Sequence, residues 1–395
     1  MTDIERKQLE LHTVTIFRNL LDDPLISRLS ALMSAKGSAK EQVDTYCEFV
    51  HELLQSGDNL TEYILKRVLE DENVYIVQKA HDMLVSEALE SSAKHELKIL
   101  ESIARLTPED FTSQIEYDGY LPKWNTSRID FTGAYNERLR TIDIDGYGIF
   151  AKFTKFRFRD GEIVPVQSTD PVRFADLKEY ERERNQVINN TLALLAGKAA
   201  ANVLLYGDAG TGKSSTVKAI INEYQDKGLR LIEIGKKQVA ALPAIIEKLK
   251  NNPLKFILFI DDLSFSQEND DLYELKAALE GSISSISANV VIYATSNRRH
   301  LIKETFSDRQ GDDVHRNETL QEQWSLSDRF GLKVPFMMPS KDLYLTIVHE
   351  LKADYKITID NTELDLLAER YAIGGRSPRA ARQFIEQLKC AEDGE

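Results

Sequence analysis

The sequence predicts an α/β fold in which a five-stranded parallel sheet lies between all-helical segments. From Phe174 onward, short apolar segments alternate with amphipathic helices, the pattern of a parallel sheet covered on both faces. Beyond Pro339 the apolar residues follow helical spacing. Residues 1–112 show the same spacing, for example at Tyr46 and Phe49. The α/β part is therefore flanked by helices on both sides in sequence.

These patterns divide the chain into four segments. Aromatic and β-branched residues become frequent between Tyr117 and Val166, where Asp145-Gly146 and Asp160-Gly161 are typical hairpin turns. We expect an all-helical N-terminal domain at 1–112, a small strand-rich linker at 113–169, an α/β core at 170–339 and a helical piece at 340–395.

Composition narrows the class of protein. The hydrophobic share of 42% and charged share of 29% are those of a folded globular chain, which excludes disorder. The first residues lack a signal peptide and no apolar run could span a bilayer, so we expect a cytoplasmic protein with no membrane contact. Cys47 and Cys390 match no metal or redox spacing. The net charge of −14 opposes nucleic acid at long range, although a local basic surface could still bind phosphates.

A phosphate-binding loop follows the first predicted strand of the core. The predicted strands are 202–206, 230–234, 256–260, 290–295 and 333–338. Residues 207–214, GDAGTGKS, fit G-x-x-x-x-G-K-[ST] between a strand and a helix, which is the context this motif requires. Glycines let backbone N–H groups turn onto phosphate oxygens, Lys213 would reach the β- and γ-phosphates, and Ser214 would bind Mg²⁺. The predicted nucleotide contacts are Gly207, Asp208, Ala209, Gly210, Thr211, Gly212, Lys213, Ser214 and Ser215.

Two carboxylates end the third predicted strand, FILFIDD. Ligands of such sheets lie at the carboxyl ends of the strands, so Asp261 and Asp262 would face the phosphates. Asp261 is the natural partner of Mg²⁺, and Asp262 is placed to polarise the attacking water. An apolar run that ends in two acids is common and by itself indicates only a strand followed by a turn. The phosphate loop about fifty residues earlier favours a nucleotide site instead.

These elements resemble the Walker A and Walker B motifs of AAA+ ATPases. The likeness runs from about residue 170 to residue 395, and with YATSNRRH (293–300) and LSDRFG (326–331) it is similar to a poorly characterised bacterial AAA+ family of unknown function. The resemblance implies an AAA+ P-loop core with a C-terminal helical lid, ATP and Mg²⁺ as ligands, and assembly into a hexameric ring. AAA+ proteins usually carry Glu where this chain has Asp262, and misplacing a carboxylate by about 1 Å can cost ~100-fold in rate.

The resemblance also implies roles for polar residues outside the two motifs. Asn297 would be sensor 1, although a turn-forming Asn is the alternative. Arg329 would be an arginine finger acting on a neighbouring subunit's γ-phosphate, with a local salt bridge to Asp328 as the alternative. Arg379 would be sensor 2, with Arg376 as competitor.

Three further segments are relevant to the predicted site. Arg298 and Arg299 could add a contact to a neighbour, and the polar segment 304–317 has the character of an insertion. Adenine contacts are expected from the segment before the phosphate loop, at Val172, Phe174 and residues 177–180. Within this segment, Glu179 stands where Gly is frequent in the family.

The macromolecule on which such a machine acts is not evident from the sequence. The loop after the second strand lacks the aromatic residue of peptide-threading relatives; Lys236 and Lys237 stand there instead and are either solvated or in contact with an anionic partner. The run 152–159 alternates basic and Phe residues, which suits either a nucleic-acid surface or a half-buried hairpin. We expect an ATPase that acts on an unidentified macromolecule through its N-terminal helical domain. The alternatives are a nucleotide-gated scaffold with slow hydrolysis and a nucleic-acid loader, which the net charge does not favour.

Overall fold

The structure is a computed structural model that describes residues 1–167, 170–263, 288–297 and 329–393, together with Leu275 and Leu279. The chain divides into two compact units, Met1–Lys152 and Phe153–Glu395. Within the described ranges, no helix is both long and apolar enough to cross a membrane.

The first unit is helical. Its helices are α1 (Asp3–His12), α2 (Pro24–Met33), α3 (Ala39–Ser56), α4 (Leu60–Glu70), α5 (Val74–Ala80), α6 (Glu87–Ala104), α7 (Pro108–Thr112), α8 (Phe131–Arg140), α9 (Ile142–Asp145) and α10 (Ile149–Lys152), with a 3-10 turn at Arg18–Asp22. Ser38 begins α3 with a capping box, its hydroxyl accepting from the Glu41 amide while the Glu41 carboxylate accepts from the Ser38 amide. The apolar faces of these helices share one core.

The strand-rich character expected for 113–169 is confined to its last part. Phe131 and Tyr135 are four residues apart on α8, so both side chains lie on one helix face and enter the helical core. Asp145-Gly146 ends α9 and is not a hairpin turn. Asp160-Gly161 does join two strands, with φ values of 51° and 86° that suit a two-residue hairpin turn. Frequent aromatic residues therefore indicate burial in this segment, and the spacing between them distinguishes a helix from a strand.

The second unit contains a sheet of seven strands, so the predicted count of five is wrong. The strands are β1 (Lys155–Arg159), β2 (Glu162–Pro165), β3 (Val203–Gly207), β4 (Leu229–Glu233), β5 (Lys255–Ile260), β6 (Val290–Ser296) and β7 (Leu332–Phe336). Their order is β2-β1-β4-β5-β6-β3-β7, parallel throughout except for the β1–β2 hairpin. The two extra strands join because buried Phe156 of β1 pairs with Ile232 at the edge of the parallel sheet.

The helices of this unit complete the layers around the sheet. They are α11 (Glu181–Leu195), α12 (Lys213–Tyr224) and α13 (Leu242–Leu249), followed after the sheet by α14 (Lys341–Tyr355), α15 (Asn361–Tyr371) and α16 (Pro378–Asp393). Short 3-10 turns lie at Phe174–Asp176, Gln225–Lys227, Lys236–Ala241 and Ala372–Gly374. One apolar core joins α11 and α12 to the sheet, and a second lies among α14, α15 and α16.

The register of the sheet determines which residues meet at its carboxyl edge. Ile260 pairs with Ala294, so the next residues along, Asp261 and Thr295, lie side by side. Gly207 pairs with Phe336, which brings the end of β7 against the start of the phosphate loop. The loops after β3, β5, β6 and β7 therefore converge.

Candidate functional site

The phosphate loop is held in a conformation that requires glycine. Gly207, Gly210 and Gly212 have φ values of 132°, 77° and 95°, which favour glycine. A Cβ on Gly207 would lie 2.2 Å from the carbonyl oxygen of Phe336, so the loop and β7 are in direct backbone contact. Residues 209–216 line a cavity of about 470 Å³. This is a concave row of backbone groups at the start of α12, which is the geometry that binds phosphate.

Lys213 is the buried cation of this loop. It is 5% exposed, and its Nζ donates to the carbonyl oxygens of Gly207 at 3.0 Å and Asp208 at 2.6 Å. Burial lowers the pKa of the Lys213 amine, while Asp208, Asp261 and Asp262 act in the opposite direction. The amine is thus held at the base of the loop, close to the backbone N–H groups that face the cavity.

Two hydroxyl groups bind Asp261, the first acid of the pair. The Ser214 hydroxyl donates to Asp261 Oδ1 at 2.6 Å, and the Thr295 hydroxyl donates to the same oxygen at 2.6 Å. Thr295 is 1% exposed, and its oxygen also accepts from the Asp262 amide at 2.8 Å. The sequence analysis did not identify Thr295, because only the register of β5 and β6 puts it beside Asp261.

The second acid, Asp262, also lines the cavity but is more exposed than Asp261. Asp262 has a φ of 52°, uncommon for a residue other than glycine, and its side chain is 54% exposed. Asn297 donates to Asp262 Oδ1 at 2.8 Å, and Lys236 binds Asp262 Oδ2 at 2.8 Å. Asn297 and Asp262 therefore lie in direct contact. Lys236 was weighed in the sequence as a partner-binding or solvated residue, and in the structure it forms this ion pair.

The last helix reaches the phosphate loop. The Arg379 amide donates to the Gly210 carbonyl oxygen at 3.2 Å, and a Cβ on Gly210 would meet Ser377 Oγ at 2.9 Å. Arg379 and Arg382 of α16 line the cavity. Arg376, the competitor for the sensor 2 position, is not among the described residues that line it.

Of the remaining predicted residues, the structure describes Arg329. Arg329 directly precedes buried Phe330 and is not among the described residues that line the cavity of its own chain. Arg298 and Arg299, and the expected insertion at 304–317, lie outside the described residues.

Apolar side chains form part of the cavity lining. Val172 and Leu177 line it from the segment before α11, and Ile347 and Leu351 line it from α14. Phe174 does not: among the residues that line this cavity it is absent, and it packs against Tyr224, with ring centroids 6.5 Å apart. Of the residues expected to contact adenine, Val172, Leu177 and Lys178 line the cavity and Phe174 does not.

The residues present fit a nucleoside triphosphate with Mg²⁺. The cavity has the volume of a small-molecule site, and both the phosphate loop and several apolar side chains line it. Ser214 and Asp261 are the two oxygen donors that would hold Mg²⁺. In the described part of the chain no group of three His, Cys, Asp or Glu side chains could hold a metal alone, so phosphate oxygens would supply the remaining ligands.

Two of the four basic side chains in the run 152–159 form ion pairs. Lys152 ends α10, Phe156 is buried, Arg157 binds Glu233 at 2.8 Å and Arg159 binds Asp160 at 3.2 Å. These contacts favour the half-buried hairpin over a nucleic-acid surface.

Comparison with known families identifies the second unit. Residues 151–392 match the family described as Protein of unknown function (DUF815), which is more than half of the chain. The chain belongs to this family. The expectation that it is a member of a poorly characterised family is confirmed. A search of curated proteins finds no significant match.

Several solved structures are similar to part of the chain. The Thermotoga maritima RuvB Holliday junction branch migration motor is 17% identical over 55% of this chain and 63% of its own, with a TM-score of 0.38. The FIGL-1 AAA domain in complex with ADP is 18% identical over 56% and 73%, with a TM-score of 0.37. C. elegans PCH-2 is 16% identical over 55% and 71%, with a TM-score of 0.35. This chain spans less than two thirds of the RuvB structure, and likenesses this distant decide neither activity nor partner.

Proposed function

We propose that the protein is a Mg²⁺-dependent AAA+ ATPase that hydrolyses ATP to ADP and phosphate. The observation that carries this proposal is the contact between the phosphate loop and the acidic strand end, in which Ser214 and Thr295 both donate to Asp261 Oδ1. A structural loop has no need of a carboxylate beside its first helical hydroxyl, whereas a site for Mg²⁺ and phosphate requires that pair.

The chain's own residues supply most of the proposed chemistry. Lys213 and the loop amides bind the β- and γ-phosphates, and Ser214 with Asp261 would hold Mg²⁺, which neutralises phosphate charge. A water molecule attacks the γ-phosphorus, the bond to the β-phosphate oxygen breaks, and Asp262 accepts the proton that the water loses. Asn297 orients the Asp262 carboxylate through the 2.8 Å hydrogen bond.

A nucleotide-gated scaffold with slow turnover is the second candidate function. Asp262 is one methylene shorter than the Glu of relatives, and the Lys236 ammonium binds one of its oxygens. The ammonium thus occupies one of the two carboxylate oxygens that could accept from the attacking water. Replacing Asp262 by Glu separates the two candidates, because a poorly placed base predicts faster phosphate release in the longer variant.

Assembly and partner follow from the same reasoning. We infer a ring of subunits, hexameric by resemblance, in which Arg329 reaches the γ-phosphate held by the adjacent subunit. The helices α14–α16 would act as a lid over the nucleotide, with Arg379 as sensor 2. The N-terminal helical domain would bind the macromolecule that the machine moves. The ion pairs of Arg157 and Arg159 do not favour nucleic acid as that molecule.

Replacing Lys213 by alanine tests the nucleotide site. We expect Lys213→Ala to lose most of its ATP affinity in equilibrium titration, because it removes the buried ammonium at the base of the loop. Lys248→Ala, which removes an exposed lysine on α13, is the matched control and should bind as the parent does. Parental ATP affinity in Lys213→Ala would contradict the proposed function.

A further inference from the structure

We propose that Tyr180 is a positioning residue: it holds the peptide group between Met337 and Met338, and through that group it determines where helices α14–α16 place Arg379. The inference rests on the proposed function and deepens it, because it names a residue that acts on the site through the backbone. Among the described residues that line the cavity Tyr180 is absent, so it does not act by touching the nucleotide.

The peptide group between Met337 and Met338 is bonded on both sides. It lies in the short connection between β7 and α14. Its carbonyl oxygen accepts from the Tyr180 hydroxyl at 2.5 Å, and its N–H donates to Asp208 Oδ2 at 2.6 Å. A peptide group is planar, so hydrogen bonds to both of its polar atoms restrict the direction in which the chain enters α14. Tyr180 and the phosphate loop together hold this connection.

The ring of Tyr180 is packed against the end of the same strand. It stacks on Phe336 of β7, with ring centroids 5.6 Å apart and 17° between the ring planes. Phe336 lines the cavity, and its carbonyl oxygen accepts from the Asp208 amide at 3.0 Å. Burial raises the pKa of the Tyr180 hydroxyl to about 12, so the hydroxyl keeps its proton and can donate at neutral pH.

The backbone at Tyr180 is held in an unfavourable conformation. Glu179 and Tyr180 have φ values of 54° and 58°, in the left-handed region that residues other than glycine seldom adopt. Such strain persists only where the surrounding structure imposes it, and it is concentrated at functional sites. Arg184 of α11 donates to the Glu179 carbonyl oxygen and so holds this turn from the helix side. Because φ sets the direction of a side chain, a relaxed turn would carry the Tyr180 hydroxyl away from Met337.

A shift of the connection would reach the phosphate loop through α16. Helices α14 and α16 pack against each other in one apolar core, so a change in the direction of α14 displaces both. In the first turn of α16 the Arg379 amide donates to the Gly210 carbonyl oxygen at 3.2 Å, and Arg379 lines the cavity. The hydrogen bond of Tyr180 therefore determines the position of Arg379 relative to the bound phosphates.

Amide hydrogen exchange without nucleotide, measured for the parent and for Tyr180→Phe, tests the positioning directly. The variant removes the hydroxyl and keeps the stacked ring. We expect the amides of Met338 and Arg379 to exchange on the order of 10-fold faster than in the parent, which is the effect of losing one hydrogen bond. The amide of Leu258, in the middle of the buried strand β5, should keep its parental rate, whereas a general loss of stability would accelerate it too.

The matched control is Tyr355→Phe. The Tyr355 hydroxyl donates to Glu386 Oε1 at 3.1 Å, between α14 and α16, so this variant also removes a tyrosine hydrogen bond from these helices but leaves the connection to β7 intact. It should exchange at the parental rate at Met338 and Arg379.

Phosphate release from ATP with Mg²⁺ gives the catalytic consequence. Tyr180→Phe should lower kcat on the order of 10-fold and change KM by less than about twofold, because Arg379 is displaced while the phosphate loop and the cavity lining remain. Tyr355→Phe should keep both constants.

The outcomes separate this inference from the proposed function. A parent that releases no phosphate overturns the proposed function, and the exchange rates still decide whether Tyr180 positions Arg379. Parental exchange at Met338 in Tyr180→Phe overturns the inference, and so does faster exchange at Met338 with no change at Arg379. An equal acceleration at Leu258, or a parental kcat in Tyr180→Phe, would also overturn it.

Discussion

Replacing Thr295 by valine tests the geometry of the site at its most buried point. Valine has nearly the shape of threonine, so the variant removes the hydroxyl with little change in packing. Two hydrogen bonds disappear together: the one donated to Asp261 Oδ1 at 2.6 Å and the one accepted from the Asp262 amide at 2.8 Å. Both acids are then free to move relative to Ser214.

The size of the effect follows from these two contacts. A hydrogen bond to a charged group contributes about 1.5–3 kcal/mol, and a buried donor left without an acceptor costs about 1–3 kcal/mol. The side chain of Asp262 is exposed, and water can replace part of the lost bonding there. We therefore expect Thr295→Val to lower the free energy of unfolding by about 2–4 kcal/mol. A shift of the carboxylates by about 1 Å would lower ATP turnover by roughly 100-fold.

Denaturant unfolding and phosphate release measure the two effects separately. Thr295→Ser keeps the hydroxyl and loses only a methyl group, so it should remain close to the parent in turnover. Equal turnover in the parent and in Thr295→Val would refute the conclusion that this hydroxyl positions the acids. The same conclusion fails if Thr295→Ser is as inactive as Thr295→Val.

Three other predictions concern the loop, the amine and the neighbouring subunit. The Asp208 carboxylate accepts a hydrogen bond from the Met338 amide at 2.6 Å. Asp208→Ala should therefore lower the free energy of unfolding by about 1–2 kcal/mol, and Asp208→Asn, which keeps an acceptor, should lower it by less. Equal losses for the two variants in a denaturant titration would count against this contact. Burial lowers the pKa of the Lys213 amine below the ordinary 10.5, and only the cationic amine binds phosphate. ATP affinity should therefore fall as the pH rises through this lowered pKa. An ATP affinity that stays constant up to pH 10.5 would contradict the prediction. Arg329→Ala should bind ATP normally and lose turnover on the order of 10³-fold or more, and mixing it with Lys213→Ala should restore some phosphate release. Full activity in a demonstrably monomeric protein would exclude an action of Arg329 on a neighbour.

The sequence was most informative where local chemistry decides the structure. The spacing of glycines, Lys213 and Ser214 in residues 207–214 predicts one loop conformation, and the glycine φ values agree with it. The strand before Asp261 is apolar from Phe256 to Ile260, so its burial and its end were both predictable. The turn at Asp160-Gly161 was predictable for the same reason, since few residue pairs adopt positive φ twice.

The rest depends on contacts between residues far apart in sequence. Thr295 lies beside Asp261 because Ile260 pairs with Ala294, and no local pattern reports that register. The pairing of β1 with β4 changed the strand count, because a short amphipathic hairpin gives no signal of which sheet edge it joins. Phe174 shows the same limit: it belongs to the segment before α11, but its ring packs against Tyr224 and is not among the residues that line the cavity.

Steady-state phosphate release, measured for the parent and for Asp262→Asn, tests the central claim most directly. The account predicts that the parent releases phosphate from ATP with Mg²⁺ and stops when EDTA removes the metal. It predicts that Asp262→Asn, which keeps the Asp261 ligand, still binds ATP in equilibrium titration while its turnover nearly stops. Hydrolysis by Asp262→Asn at the parental rate, or parental hydrolysis that persists in EDTA, would contradict the account.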